Sequence, residues 1–127
     1  MTVGIAAVLA NAWLDTLSNT SAAFAAIYVK LHTGDPGSAG TANASAETTR
    51  KLAAFNAASS GSKALTSTLS WTSWAAGTET ITHVSIWSAS TSGTFYGSGA
   101  LGSSKVVNNG DTFNLTALTV SLTPLAA

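Results

Sequence analysis

The 127-residue chain contains no cysteine. That excludes disulfides, zinc–thiolate centres and thiol nucleophiles. Charge is nearly as scarce, at 8% of residues, against about 25% in an average soluble domain. Five Lys and Arg balance five Asp and Glu, for a formal net charge of zero. Nucleic-acid binding needs clustered Lys and Arg to displace counterions from phosphates. Five scattered cations form no such face, so nucleic acid is set aside as a partner. Long hydrophobic runs are also missing. Residues 3–14 are mostly apolar, a stretch too short to span a bilayer. No Lys or Arg precedes it, so it lacks the charged start of a signal peptide. No membrane role is expected.

Small residues and hydroxyls take the place of charge. Alanine accounts for 24 residues, and Ser and Thr together for 37. The polar surface is therefore mostly hydroxyl. Four Trp, four Phe and two Tyr separate the chain from disordered sequences, which are charged and poor in aromatics. Zero net charge on a neutral surface favours association, so the chain is expected to work inside an assembly, with copies of itself among its partners. The length suits a single domain, residues 1–127.

Two periodicities divide that domain. Ile5, Leu9, Ala12, Trp13 and Leu17 recur at three- and four-residue spacing, which predicts a helix within residues 1–19. Thr2 is its candidate N-cap. The apolar face of this helix packs on its own domain or docks on a neighbouring subunit. From residue 26 the period becomes two. Ile27, Val29 and Leu31 alternate with Tyr28, Lys30 and His32, as in a half-buried strand. Gly34-Asp35-Pro36-Gly37 forces a turn, and residues 38–49 read as a surface loop. Further strands are predicted at 50–57, 65–71, 80–87, 94–101, 105–107, 113–115 and 118–122. Val84 and Ile86 share one face, with His83, Ser85 and Trp87 on the other. Asn108-Asn109-Gly110-Asp111 signals a hairpin, and Pro124 stops the last run. The fold expected for residues 26–123 is a jelly-roll-like β-sandwich, behind one N-terminal helix.

No motif points clearly to catalysis. Gly97-Ser98-Gly99-Ala100-Leu101-Gly102 matches G-x-G-x-x-G, but no helix opens after it to receive a phosphate. The glycines are better read as a bulge or a close backbone approach. Only two histidines are present, His32 and His83. A metal site needs three or four ligands with local spacing, and Asp35, Glu79 and Asp111 are far apart in sequence. A triad of Ser85 or Ser98 with a His and Asp35 or Asp111 lacks the nucleophile-elbow sequence. No cofactor, metal or catalytic residue is therefore assigned. Asp35 and Asp111 sit beside Gly in turns, where Asp bonds nearby backbone N–H groups. Trp71 and Trp74 are three apart, so in a strand they would point to opposite faces. With Trp87 they are assigned to the core or to a subunit interface. A glycan platform is the lesser reading.

Tyr28-Val29-Lys30-Leu31-His32-Thr33-Gly34-Asp35-Pro36-Gly37 resembles a family of small structural proteins of tailed bacteriophages, common in phages of actinobacteria. Gly40-Thr41-Ala42-Asn43, Glu47-Thr48-Thr49-Arg50-Lys51, Thr82-His83-Val84-Ser85-Ile86-Trp87, Gly93-Thr94-Phe95 and Gly110-Asp111-Thr112-Phe113 follow in the family's order. Ser88 departs from the acidic residue expected at its position. The resemblance covers roughly residues 3–122 and implies a non-enzymatic virion component, assembled in the cytoplasm of a bacterial host. Its partners would be major capsid or tail proteins and further copies of the chain. Capsid decoration is the first placement, and a minor tail or tail-fibre protein, with a host-glycan-binding module as one form of it, the alternative. The run His32, Thr33, Gly34, Asp35, Pro36, Gly37 carries over as a structural turn. Ile5, Leu9, Trp13, Trp71, Trp74 and Trp87 are the candidate interface residues.

Overall fold

The computed structural model describes residues 3–18 and 21–122. The strands are β1 (Gly4–Ile5), β2 (Ile27–His32), β3 (Lys51–Ala53), β4 (Ser62–Ala64), β5 (Leu69–Trp71), β6 (Glu79–Trp87), β7 (Phe95–Val107), β8 (Phe113–Leu115) and β9 (Thr119–Ser121). One helix, α1 (Ala7–Asp15), runs into a 3-10 turn at Thr16–Ser18. The chain is thus mainly β with one helix. A five-stranded antiparallel sheet, ordered β1-β7-β6-β2-β3, forms one layer. The ribbons β5–β8 and β4–β9 lie against it, giving a sandwich-like arrangement whose second layer is split in two.

Alternation along β2 and β6 sets the two faces of the sheet. Val29 stands opposite Ile86, and Leu31 opposite Val84. These four point into the core with Leu69, Trp71, Phe113 and Leu115 of the β5–β8 ribbon. Val29, Leu31 and Ile81 are wholly buried, and each such side chain contributes roughly 1.5–3 kcal/mol by leaving water. Trp71 packs edge-on against Phe113, ring centres 5.8 Å apart. Tyr28, Lys30 and His32 lie on the opposite face, paired with Trp87, Ser85 and His83. The face assignment read from residues 83–87 is the one that forms.

Several boundaries differ from the sequence reading, each because a tertiary contact overrides a local signal. Ile5 is in β1, outside the helix: Gly4 and Ile5 pair with Ser98 and Gly97 of β7. Gly97 permits this, since a Cβ there would stand 2.5 Å from the Gly4 carbonyl oxygen. The helix therefore starts at Ala7, capped by Ala6 with no side-chain hydrogen bond. Thr2, Asn19, Thr20 and Pro124 lie outside the described residues. Leu17 falls past α1 and is exposed. The runs at 94–101 and 105–107 merge into β7. Their gap survives as a bulge, where Ile81 pairs with Lys105 but His83 with Ala100.

The Asn-Gly signal does not make a hairpin. β7 pairs with β6, while β8 pairs with β5. The turn carries the chain between layers, which lets Phe113 and Leu115 reach the core. Trp74 anchors it: the Gly110 N–H donates to the Trp74 carbonyl, and the Trp74 N–H to that of Asp111. Trp71 and Trp74 do not oppose each other either. Trp74 lies beyond the end of β5, after Ser73 with φ +54°, so strand alternation no longer applies and both rings are buried.

Candidate functional site

The loop-covered face of the sheet holds the motif residues, and its local chemistry explains their sequence. The Asp35 carboxylate accepts the Gly37 N–H at 2.9 Å, closing an Asx turn. Gly37 and Gly40 both have φ +73°. Gly40 also lies under Phe95, whose ring a Cβ would meet at 2.3 Å. The returning strand is tied to the outgoing one: the Asn43 amide donates to the Asp35 carbonyl, the Thr33 N–H to that of Asn43, and the Ser45 N–H to that of Leu31. Glu79 on β6 clamps the loop further along, accepting the Ser45 hydroxyl at 2.5 Å and the Ala46 N–H at 2.9 Å. Pro36 is fully buried within this turn.

Beneath the loop lies a closed chain of polar groups. His32 Nδ1 is 2.9 Å from the Ala42 carbonyl, which can only accept, so Nδ1 carries the proton. Nε2 of the neutral ring is then an acceptor, and the Ser85 hydroxyl donates to it at 2.7 Å. The Ser85 oxygen accepts the Trp87 Nε1–H, also at 2.7 Å. Every donor and acceptor in this run is used. Burial holds the His32 pKa below its ordinary 6.5; the bond to Ala42 opposes this, while the charges of Lys30 and His83 add to it.

This is the one place where the structure brings together residues considered for a triad. His32 and Ser85 are both 0% exposed, and a carbonyl occupies the third position where a carboxylate would be needed. The pair is sealed from solvent and its lone pairs are occupied, which is the arrangement of a core polar network. His83 bonds Thr82 instead. Ser98 Oγ is buried and has no hydrogen-bond partner among the described residues. Among the described residues no cluster of three His, Asp or Glu side chains is placed to hold a metal. No described helix is long and apolar enough to cross a membrane.

The expected interface residues divide. Trp71, Trp74 and Trp87 are under one tenth exposed, as is Leu9. No exposed coplanar pair is formed by these three rings. Ile5 is 39% exposed, and Trp13 is half-buried at the rim of two apolar clefts. These clefts, of about 250 and 170 Å3, flank β9 and share Val120 and Lys63. A third, of about 210 Å3, separates β9 from the glycine stretch of β7. Val8, Leu14 and Leu122 add exposed apolar surface. Sequence reasoning missed Arg50, which stacks 4.1 Å over the Trp87 ring and donates to the Ala89 and Ser92 carbonyls. No local pattern links residues so distant in the chain. It also missed the clamping role of Glu79.

A β-rich domain whose polar groups are turned inward to hold loops is built as a structural module. Comparison with protein families agrees: residues 4–123 match the family described as podophage GP4 fiber I protein gp80. The chain belongs to that family. A comparison with curated proteins finds no match. The family supports the phage structural protein implied by the resemblance. It names a podophage fibre, and neither an actinobacterial host nor the Leu-His-Thr-x-Asp-Pro-Gly motif is part of that finding. A fibre family also fits the tail-fibre alternative better than capsid decoration.

Proposed function

We propose that the chain is a non-enzymatic structural component of a podophage tail fibre, incorporated into the virion beside other tail proteins and further copies of itself. The observation that carries this reading is the family match, which spans nearly the whole chain. The sealed His32–Ser85–Trp87 network supports it, because these polar residues are buried and hold a loop. Apolar surface around Trp13, Val120 and Leu122 supplies contact area for neighbouring subunits. Head decoration, the first expectation, gives way to the fibre because the family is named for one. The test is gold-labelled antibody against this chain on purified particles. Label on the tail fibres is the expected result. Label over the whole head restores decoration, and particles without label defeat the virion reading.

A further inference from the structure

Lys30 sits mid-strand in β2, half-buried, on the face that carries Tyr28, Ser85 and Trp87. Its ammonium has no hydrogen-bond or ion-pair partner among the described residues. The next side chain across the strand pair is a second cation. Val29 stands opposite Lys51, so Arg50 comes beside Lys30 as the register continues. Burial, and then the charge of Arg50, hold the Lys30 pKa below its ordinary value. Like charges facing each other across strands are destabilising.

Arg50 is fixed in place. Its guanidinium lies over Trp87, and Nη1 donates to the Ala89 and Ser92 carbonyls at 2.8 and 2.6 Å. Nη2 and Nε have no partner among the described residues. The carboxylates on neighbouring segments are turned to other donors. Glu47 accepts the Thr49 N–H, and Glu79 takes Ser45 and Ala46. His32, on the same face beside Lys30, is neutral and bonded on both nitrogens. The hydroxyls of Ser90, Thr91 and Ser92 lie exposed on the turn that Arg50 holds.

We infer that Lys30 and Arg50, with the hydroxyl-rich turn at residues 90–92, bind one carboxylate or phosphate group of a hydroxylated ligand. A planar guanidinium with unused N–H groups matches the paired oxygens of such an anion, and the ammonium adds a point charge beside it. Stacking on Trp87 orients the guanidinium beforehand, so little side-chain freedom remains to be lost on binding. The anion would also relieve the repulsion between the two cations. Such a site would work on any exposed part of a particle.

The test titrates the full chain with sodium phosphate and with sodium glucuronate at constant ionic strength, sodium chloride being the control. Binding is read from backbone amide shifts at Lys30, Arg50 and residues 90–92. Saturable shifts with at least one of the two anions are expected. Arg50 also ties down the turn, so its replacement risks the fold. Lys30→Gln breaks no hydrogen bond and carries the test: it should weaken binding by about tenfold. Without added anion the variant should unfold at or above the wild-type temperature, because the like-charge contact is gone. Phosphate or glucuronate should then raise the wild-type midpoint more than that of the variant. Tighter glucuronate binding assigns the site to a sugar acid, and tighter phosphate binding to a phosphate; either upholds it. Absence of saturable binding to both anions, or equal affinity in Lys30→Gln, overturns it.

Discussion

Replacing Ser85 by Ala should be among the most damaging single-atom deletions in this domain. The Ser85 hydroxyl donates to His32 Nε2 and accepts from Trp87 Nε1. Both partners belong to buried residues, so the variant strands one acceptor and one donor away from water. Each buried polar group left without a partner costs about 1–3 kcal/mol, so the pair sums to roughly 2–5 kcal/mol once partial relaxation is allowed. Domains of this size are stable by only about 5–15 kcal/mol. Urea unfolding followed by tryptophan fluorescence should show a lower midpoint with an unchanged slope, the sign of a pure stability change. Ser70→Ala is the matched control. Its hydroxyl donates to Asn114 at an exposed position, where water replaces the lost partner. A loss below about 1 kcal/mol for Ser85→Ala, or one no larger than for Ser70→Ala, would refute the sealed network.

His32 should also make stability depend on pH. Its folded-state pKa lies below the ordinary 6.5, chiefly through burial, so the unfolded chain binds the proton more readily. The stabilisation is therefore complete above the unfolded pKa and falls as pH drops below it. The stability difference between wild type and His32→Gln should shrink between about pH 7 and pH 5, measured by urea midpoints. Gly97→Ala should detach β1, because the new Cβ meets the Gly4 carbonyl at 2.5 Å; overpacking of this kind costs about 1–3 kcal/mol. Hydrogen exchange at the Ala6 amide, bonded to Tyr96, should accelerate, while Gly99→Ala, with open space at its Cβ, should leave it protected. Glu79→Gln keeps the side-chain size but replaces one accepting oxygen with a donor, so amide exchange at Ala46 should quicken relative to wild type.

The parts of the fold legible in the sequence are those decided by side-chain alternation. In β2 and β6 the period of two is clean, and burial of one face fixes the register. Hence alternation alone separates Val84 and Ile86 from His83, Ser85 and Trp87. The parts that were not legible depend on partners far along the chain. Nothing local says that Gly4 and Ile5 leave the helical pattern, since the reason is the missing side chain at Gly97. Nothing in Asn109-Gly110 says which strand β8 will choose; burial of Phe113 and Leu115 beside Trp71 and Leu69 decides it. The motif turn was legible as a turn, because Asp, Pro and Gly each have a backbone role there. Its connection to Ser85 and Trp87 was not, because hydrogen bonds between His32 and β6 leave no periodic trace.

The scarcity of charge acquires a specific meaning once four of the five carboxylates are placed. Asp35, Glu47, Glu79 and Asp111 each accept a backbone N–H in or beside a loop. Arg50 donates to two backbone carbonyls. These charges serve as loop fasteners, and surface ion pairs would contribute little to stability in their place. The fasteners gather on the motif loop, the 88–93 turn and the 108–111 turn. Around α1 and β9 the surface carries only Asp15 and Lys63 among the described charged residues, and is otherwise alanine, hydroxyl and exposed Val8, Leu14 and Leu122. A neighbour docking on that side would strip few ions of water, the costliest part of burying polar surface. Charges introduced there, for example Leu14→Glu with Val8→Lys, should therefore leave the monomer folded while lowering incorporation into particles, measured as copies per virion. Unchanged incorporation would move the subunit contacts away from α1.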